Sequence, residues 1–117
     1  MKDPIWKIVG GYILIIILLL FSTAAYSQVV VTEFNAGWNK ENTTDWLDSL
    51  ENCYVTKVEM DNKGKMQLQK THQVTIVPTL IIFKDGKEIK RFLADISFTL
   101  KATREEVQLF INEVVEN

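Results

Sequence analysis

The chain has 117 residues, enough for one globular domain and too few for two. Hydrophobic residues make up 47% and charged residues 24%, the usage of a chain with a packed core, which excludes wholesale disorder. The formal net charge is −2 with no basic block or stripe, which argues against nucleic acid as a partner, and the single cysteine, Cys53, excludes an internal disulfide.

The first segment stands apart from the rest. Lys2 and Lys7 precede an apolar run from Ile8 to Phe21, interrupted by Gly10 and Gly11, and small or polar residues follow from Ser22 to Ser27. A positive start, a short apolar stretch and Ala25-Tyr26-Ser27 as a small-x-small site describe a secretory signal peptide over 1–27, with Gln28 as the new N-terminus. The run falls slightly short of the roughly 20 residues of a spanning helix, so an uncleaved membrane anchor is the alternative. With Lys2 and Lys7 on the cytoplasmic side, both readings place residues 28–117 beyond the membrane. The domain is then periplasmic or secreted, or held on the periplasmic side of the inner membrane, and it touches a membrane only if the segment is retained.

Val29 to Phe34 is a β-branched run, as expected for a strand buried on both faces. Asn39 to Leu50 carries Trp46, Leu47 and Leu50 at helical spacing and reads as a helix. Tyr54 to Met60 alternates and reads as a second strand, Asp61 to Gly64 as a turn, and Lys65 to Gln73 as a short polar helix. Leu80-Ile81-Ile82-Phe83 and Glu88-Ile89-Lys90-Arg91-Phe92 flank Lys84-Asp85-Gly86-Lys87, a hairpin whose Asp-Gly pair tolerates the positive φ angles of a tight turn. Thr103, followed three residues on by Glu106, announces a capped final helix with Val107, Phe110, Ile111 and Val114 on one face. A strand–helix–strand unit needs a parallel pair with a right-handed crossover, and the hairpin adds antiparallel strands. The expected fold class is α/β, a four-stranded mixed β-sheet flanked by helices.

This order resembles the thioredoxin family, and three motifs carry the likeness. Phe34-Asn35-Ala36-Gly37-Trp38-Asn39-Lys40-Glu41-Asn42 is similar to that family's F-W-A-x-W-C-G-P-C segment. Val77-Pro78-Thr79 sits where the family has its cis-proline, followed by the same apolar strand and Lys-Asp-Gly turn, and Val58 to Asp61 matches the end of its second strand. The resemblance implies a thioredoxin-like fold over residues 29 to 115. The chain departs from the pattern where the chemistry belongs. Asn39 and Asn42 occupy the two cysteine positions, Lys40 and Glu41 replace glycine and proline, and the crossover is short. Dithiol–disulfide exchange needs an attacking thiolate and a resolving thiol, and asparagine supplies neither. No catalytic residue is therefore assigned.

Asn39 reads as a helix cap, a role in which asparagine excels, and Asn42 as a polar first-turn residue. The resemblance places Glu33 at the family's buried carboxylate and Lys57 at the lysine that approaches it, so a structural Glu33–Lys57 pair is expected in place of a proton relay. Cys53 begins the second strand, at the opposite end of a parallel pair from Asn39, and reads as a small buried hydrophobe. His72 has no second histidine or cysteine pair beside it, so no metal site is expected, and no motif calls for a cofactor. The segment Ile96-Ser97-Phe98-Thr99-Leu100 is a functional candidate alongside Trp38 and Pro78 or, since Ile96, Phe98 and Leu100 alternate, simply core.

By the same resemblance Trp38, Val77, Pro78 and Thr79 border a groove in which the backbone of the residue before the proline pairs with an extended peptide. The expected function is an exported, redox-inactive domain binding a peptide or protein partner there. The alternatives are a monothiol activity through Cys53 and an anchored accessory subunit of an envelope complex.

Overall fold

The computed structural model describes residues 28–116, so the signal or anchor expected over 1–27 lies outside the described residues. Strand β1 spans Val29–Asn35, β2 Tyr54–Glu59, β3 Thr79–Lys84 and β4 Lys87–Leu93; helix α1 spans Met66–Thr71 and α2 Arg104–Glu116. The sheet order is β2-β1-β3-β4, with β1 parallel to β2 and antiparallel to β3, and β3 antiparallel to β4. This is the four-stranded mixed sheet expected from the element order.

The valine run of β1 is explained by its place between two layers. On one face Val29 and Val31 join Leu80, Ile82, Leu47 and Leu50 beneath Val107 and Ile111 of α2. On the other face Phe34 packs with Ile81, Met60, Val74 and Val77, and Leu68 of α1 leans on them. Fully burying side chains of this size contributes roughly 1.5–3 kcal/mol each, which outweighs the modest helix and strand propensities of the segments that supply them.

The local signals behave as their chemistry requires. Asp85 and Gly86 take positive φ angles of 53° and 84° between Lys84 and Lys87, which pair across the hairpin. The Glu106 N–H donates to the Thr103 hydroxyl at 3.2 Å, starting α2 at its expected cap. Lys84 Nζ donates to the Val114 carbonyl and so supports the last turn of that helix.

One expectation is corrected. Asn39 to Leu50 is not a helix: Gly37–Asn42 and Leu47–Ser49 form two separate 3₁₀ turns with Thr43 extended between them (φ −59°, ψ 138°). The cause is a tertiary hydrogen bond. Glu33 Oε2 accepts from the Thr44 N–H at 2.8 Å, drawing toward β1 an amide that a continuous helix would have kept for itself. Asn42, Thr43, Thr44 and Asp45 are all poor helix formers, so little opposes the break.

Replacing Ile111 by alanine should lower the unfolding free energy by about 2–5 kcal/mol in urea titrations, because its wholly buried side chain would leave a cavity against Val29 and Leu80.

Candidate functional site

β1 delivers its last residues to the C-terminal end of the sheet, where three loops converge. Ala36 occupies the cap position of the first 3₁₀ turn without any side-chain cap bond, so Asn39 does not cap it. Asn39 is instead sunk inside, 4% exposed, at the centre of an amide network. Its Nδ2 donates to Asn35 Oδ1 at 3.0 Å and to the Phe98 carbonyl at 3.1 Å, and its Oδ1 accepts from Asn42 Nδ2 at 2.8 Å. Asn35 Nδ2 completes the set by donating to the Asn39 carbonyl and to the Thr43 hydroxyl. Both positions that match the family's cysteines therefore hold side chains that fasten loops together.

Trp38, by contrast, is 65% exposed and meets Phe98 edge-on, with ring centroids 5.1 Å apart. Together with Val77 they border a cleft of about 460 Å³ whose walls also include Ala36, Met60, Met66 and Ile76. The sequence reading thus brings Trp38 and Val77 to one surface. Pro78 and Thr79 are not part of it: both are fully buried, and the Thr79 hydroxyl turns inward to donate to the Ile76 carbonyl at 2.6 Å. They shape the loop from below, and the Val77–Pro78 peptide bond is cis. Among the described residues neither the N–H nor the C=O of Val77 has a hydrogen-bond partner.

Phe98 reaches this site from the candidate segment Ile96 to Leu100, and Asp61, Met60 and Met66 join it with no motif pointing to them. Asp61 accepts the Gly37 N–H with both carboxylate oxygens, at 2.9 and 3.0 Å, and so ties the turn after β2 to the backbone next to Trp38. Glycine suits position 37, since a Cβ there would stand 2.7 Å from Glu59 Oε1 and 3.2 Å from Asp61 Oδ2. The alternating Ile96, Phe98 and Leu100 do not form a strand. Ile96 is 92% exposed, Phe98 takes a φ of 61° against Trp38, and Leu100 packs on the core. Asp95 organises this loop by accepting from the Ser97 amide and hydroxyl and pairing with Lys101. The Ser97 hydroxyl, and after it the Lys101 ammonium, hold the Asp95 carboxyl well below the usual carboxylate range.

The expected Glu33–Lys57 pair does not form, although the two are direct neighbours across β1 and β2. Glu33 is 2% exposed and bound to Thr44, whereas Lys57 turns outward to Asp48 at 3.1 Å. Desolvating a lysine beside Glu33 costs more than leaving it at the surface, where water and Asp48 serve its charge. Cys53 lies just before β2, at the end of the sheet where Val30 pairs with Tyr54, and the asparagine network follows the other end. It is half-buried against the α2-side core, and burial raises its thiol pKa above the ordinary value. A raised pKa leaves less thiolate at neutral pH, the reverse of what a nucleophilic cysteine needs. Among the described residues no group of three or more histidine, cysteine and carboxylate side chains is arranged to hold a metal ion.

Glu33→Ala should cost about 1–3 kcal/mol in denaturant unfolding, because the Thr44 amide loses its partner inside the fold. Glu33→Gln, which keeps an acceptor oxygen, should cost less than half as much. Thiol-reagent labelling of the native protein should be slow at pH 7 and should accelerate only at a higher pH than for the unfolded chain, with Cys53 the labelled residue.

No protein-family model matches the chain. Among curated proteins it is similar to the thioredoxin of Chlamydia muridarum, 35% identical over 75 residues that span 61% of this chain and 74% of that one. The thioredoxin of Chlamydia trachomatis serovar D is 33% identical over the same shares. Among solved structures it is similar to a thioredoxin mutant from Halobacterium salinarum, with a TM-score of 0.63, 20% identity and 77% of each chain covered. The thioredoxin of Fasciola hepatica superposes with a TM-score of 0.54 and 20% identity, over 82% of this chain and 89% of that one. The superposition on solved thioredoxins shows the shared fold, and relatives a third identical over three quarters of their length mean that the chain belongs to the thioredoxin family.

Proposed function

We propose that this is an exported thioredoxin-family domain that performs no dithiol chemistry and binds an extended segment of a peptide or protein partner in the Trp38–Val77 cleft. The observation that carries the reading is the unpaired backbone of Val77 beside an apolar hollow. An extended peptide laid along it would pair with that N–H and C=O as an added strand, while a large apolar side chain enters between Trp38, Phe98 and Met66. Methionine walls adapt to side chains of differing shape, which suits a site of broad apolar preference. Asparagines at positions 39 and 42 support the loss of redox activity, since neither offers a nucleophile or a resolving thiol. Export rests on the pattern of residues 1–27.

Isotope-labelled protein titrated with short peptides carrying one large apolar residue should show shifts centred on the Val77 amide and the Trp38 indole. Trp38→Ala should weaken that binding by about tenfold or more while leaving the melting temperature nearly unchanged, because the side chain is largely exposed. Titrations that move neither resonance would remove the binding site. The protein should also fail to accelerate insulin reduction beyond the rate of dithiothreitol alone, and its mass from cells should match a chain beginning at Gln28. Catalysed reduction that persists in Cys53→Ser would contradict the redox assignment.

A further inference from the structure

Among the described residues the sheet order leaves two edge strands, β2 and β4, and they differ in how they treat an approaching strand. β4 carries Lys87, Lys90 and Arg91 against one acid, Glu88, and its ladder with β3 slips between Ile82 and Phe83. A clustered charge and an irregular ladder are the usual means by which an edge repels a copy of itself. β2 has neither. Four of its six residues are exposed, and its charged residues, Lys57 and Glu59, are of opposite sign and two positions apart.

The backbone geometry shows which of its groups are free. The Met60 N–H donates to the Asn35 carbonyl across to β1, so Val58, Thr56 and Tyr54, at alternate positions, also aim their peptide groups at β1. Val55, Lys57 and Glu59 aim theirs the other way, where the Glu59 carbonyl already accepts the Asn62 N–H at 3.1 Å and has one lone pair left for a partner strand. Among the described residues no strand pairs with that side.

We infer that the outer edge of β2 pairs antiparallel with the same edge of a second copy of this chain, merging two four-stranded sheets into one. Three two-fold arrangements centre on the strand and let outward-facing residues exchange hydrogen bonds. One sets Lys57 opposite Lys57, which is repulsive. A second sets Lys57 opposite Val55, which leaves the charge unanswered. The third sets Lys57 opposite Glu59 twice and places Val58 against the second copy's Val58 on the axis, where opposed side chains of an antiparallel pair come closest. Only this register satisfies the charges, and it does so symmetrically. The present contacts of these groups, Lys57 with Asp48 and Glu59 with Asn62, are exposed and exchange at little cost.

The test uses the full-length chain, purified in mild detergent where it keeps its first segment. Val58→Cys in a Cys53→Ser background puts two thiols across the axis within disulfide range, and mild oxidation should yield a covalent dimer. Glu59→Cys in the same background should yield about tenfold less, because its own counterpart is not opposite it. By light scattering the wild-type chain should have the mass of two chains at high micromolar concentration. Lys57→Glu and Glu59→Lys should each be monomeric, and the double exchange should restore the dimer. A monomeric wild type, a dimer indifferent to the charge exchange, or equal cross-linking at positions 58 and 59 would overturn the proposal. So would a Val58→Cys cross-link to the chain's own first segment or to a different protein.

Discussion

The double burial of β1 is the constraint from which the rest of the molecule follows. A strand covered on both faces and paired on both edges has no freedom of register, since slipping by one residue would exchange the side chains of its two layers. Its end is therefore fixed in space, and Ala36, Gly37 and Trp38 emerge at one place with one orientation. The loops that meet them come from residues far apart in sequence: Asp61 after β2, Val77 before β3 and Phe98 after β4. Each is anchored to an element that already pairs within the sheet. The cleft is thus a property of the sheet's end and not of any single loop.

The same strand explains what could be read in advance. The valine run, the Asp85-Gly86 turn and the Thr103 cap are signals whose cause lies within a few residues, so the sequence carries them whole. The helix expected over Asn39 to Leu50 was a different matter. Trp46, Leu47 and Leu50 have the spacing of a helix face, but a turn at Asp45 and Trp46 leading into a single 3₁₀ turn that ends at an extended Leu50 satisfies the same spacing. What decided between them was Glu33 reaching Thr44, a bond between residues whose meeting depends on the finished fold. Glu33 and Lys57 are register partners across β1 and β2, yet adjacency does not choose their hydrogen-bond partners. Desolvation does.

The cleft divides in the same way. Trp38 and Val77 were legible through motif resemblance, because the motif records a backbone arrangement that survives substitution. Thr79 was drawn into the same surface by proximity in the chain, but the turn after Val77 sends its hydroxyl inward to the Ile76 carbonyl. Phe98 lies in a segment whose alternation suits both a functional surface and the core, and no local signal chooses between them. Its positive φ is unusual for a bulky residue and is met by restraints from three directions: Asn39 on its carbonyl, Asp95 on its amide, and Trp38 on its ring.

Those restraints bear on why asparagine stands at both positions 39 and 42. A buried amide costs roughly 1–3 kcal/mol for each group left without a partner, so a half-satisfied network would be worse than none. Asn39 spends both amide hydrogens, on Asn35 and on Phe98, and its oxygen is met by Asn42. A side chain without an amide at position 39 would leave the buried Asn35 oxygen unmet and take the donor from the Phe98 carbonyl, whereas the exposed Asn42 amide would turn to water. The two asparagines thus form one unit with Asn35, and through the Phe98 carbonyl that unit ties the wall beside Trp38 to the end of β1.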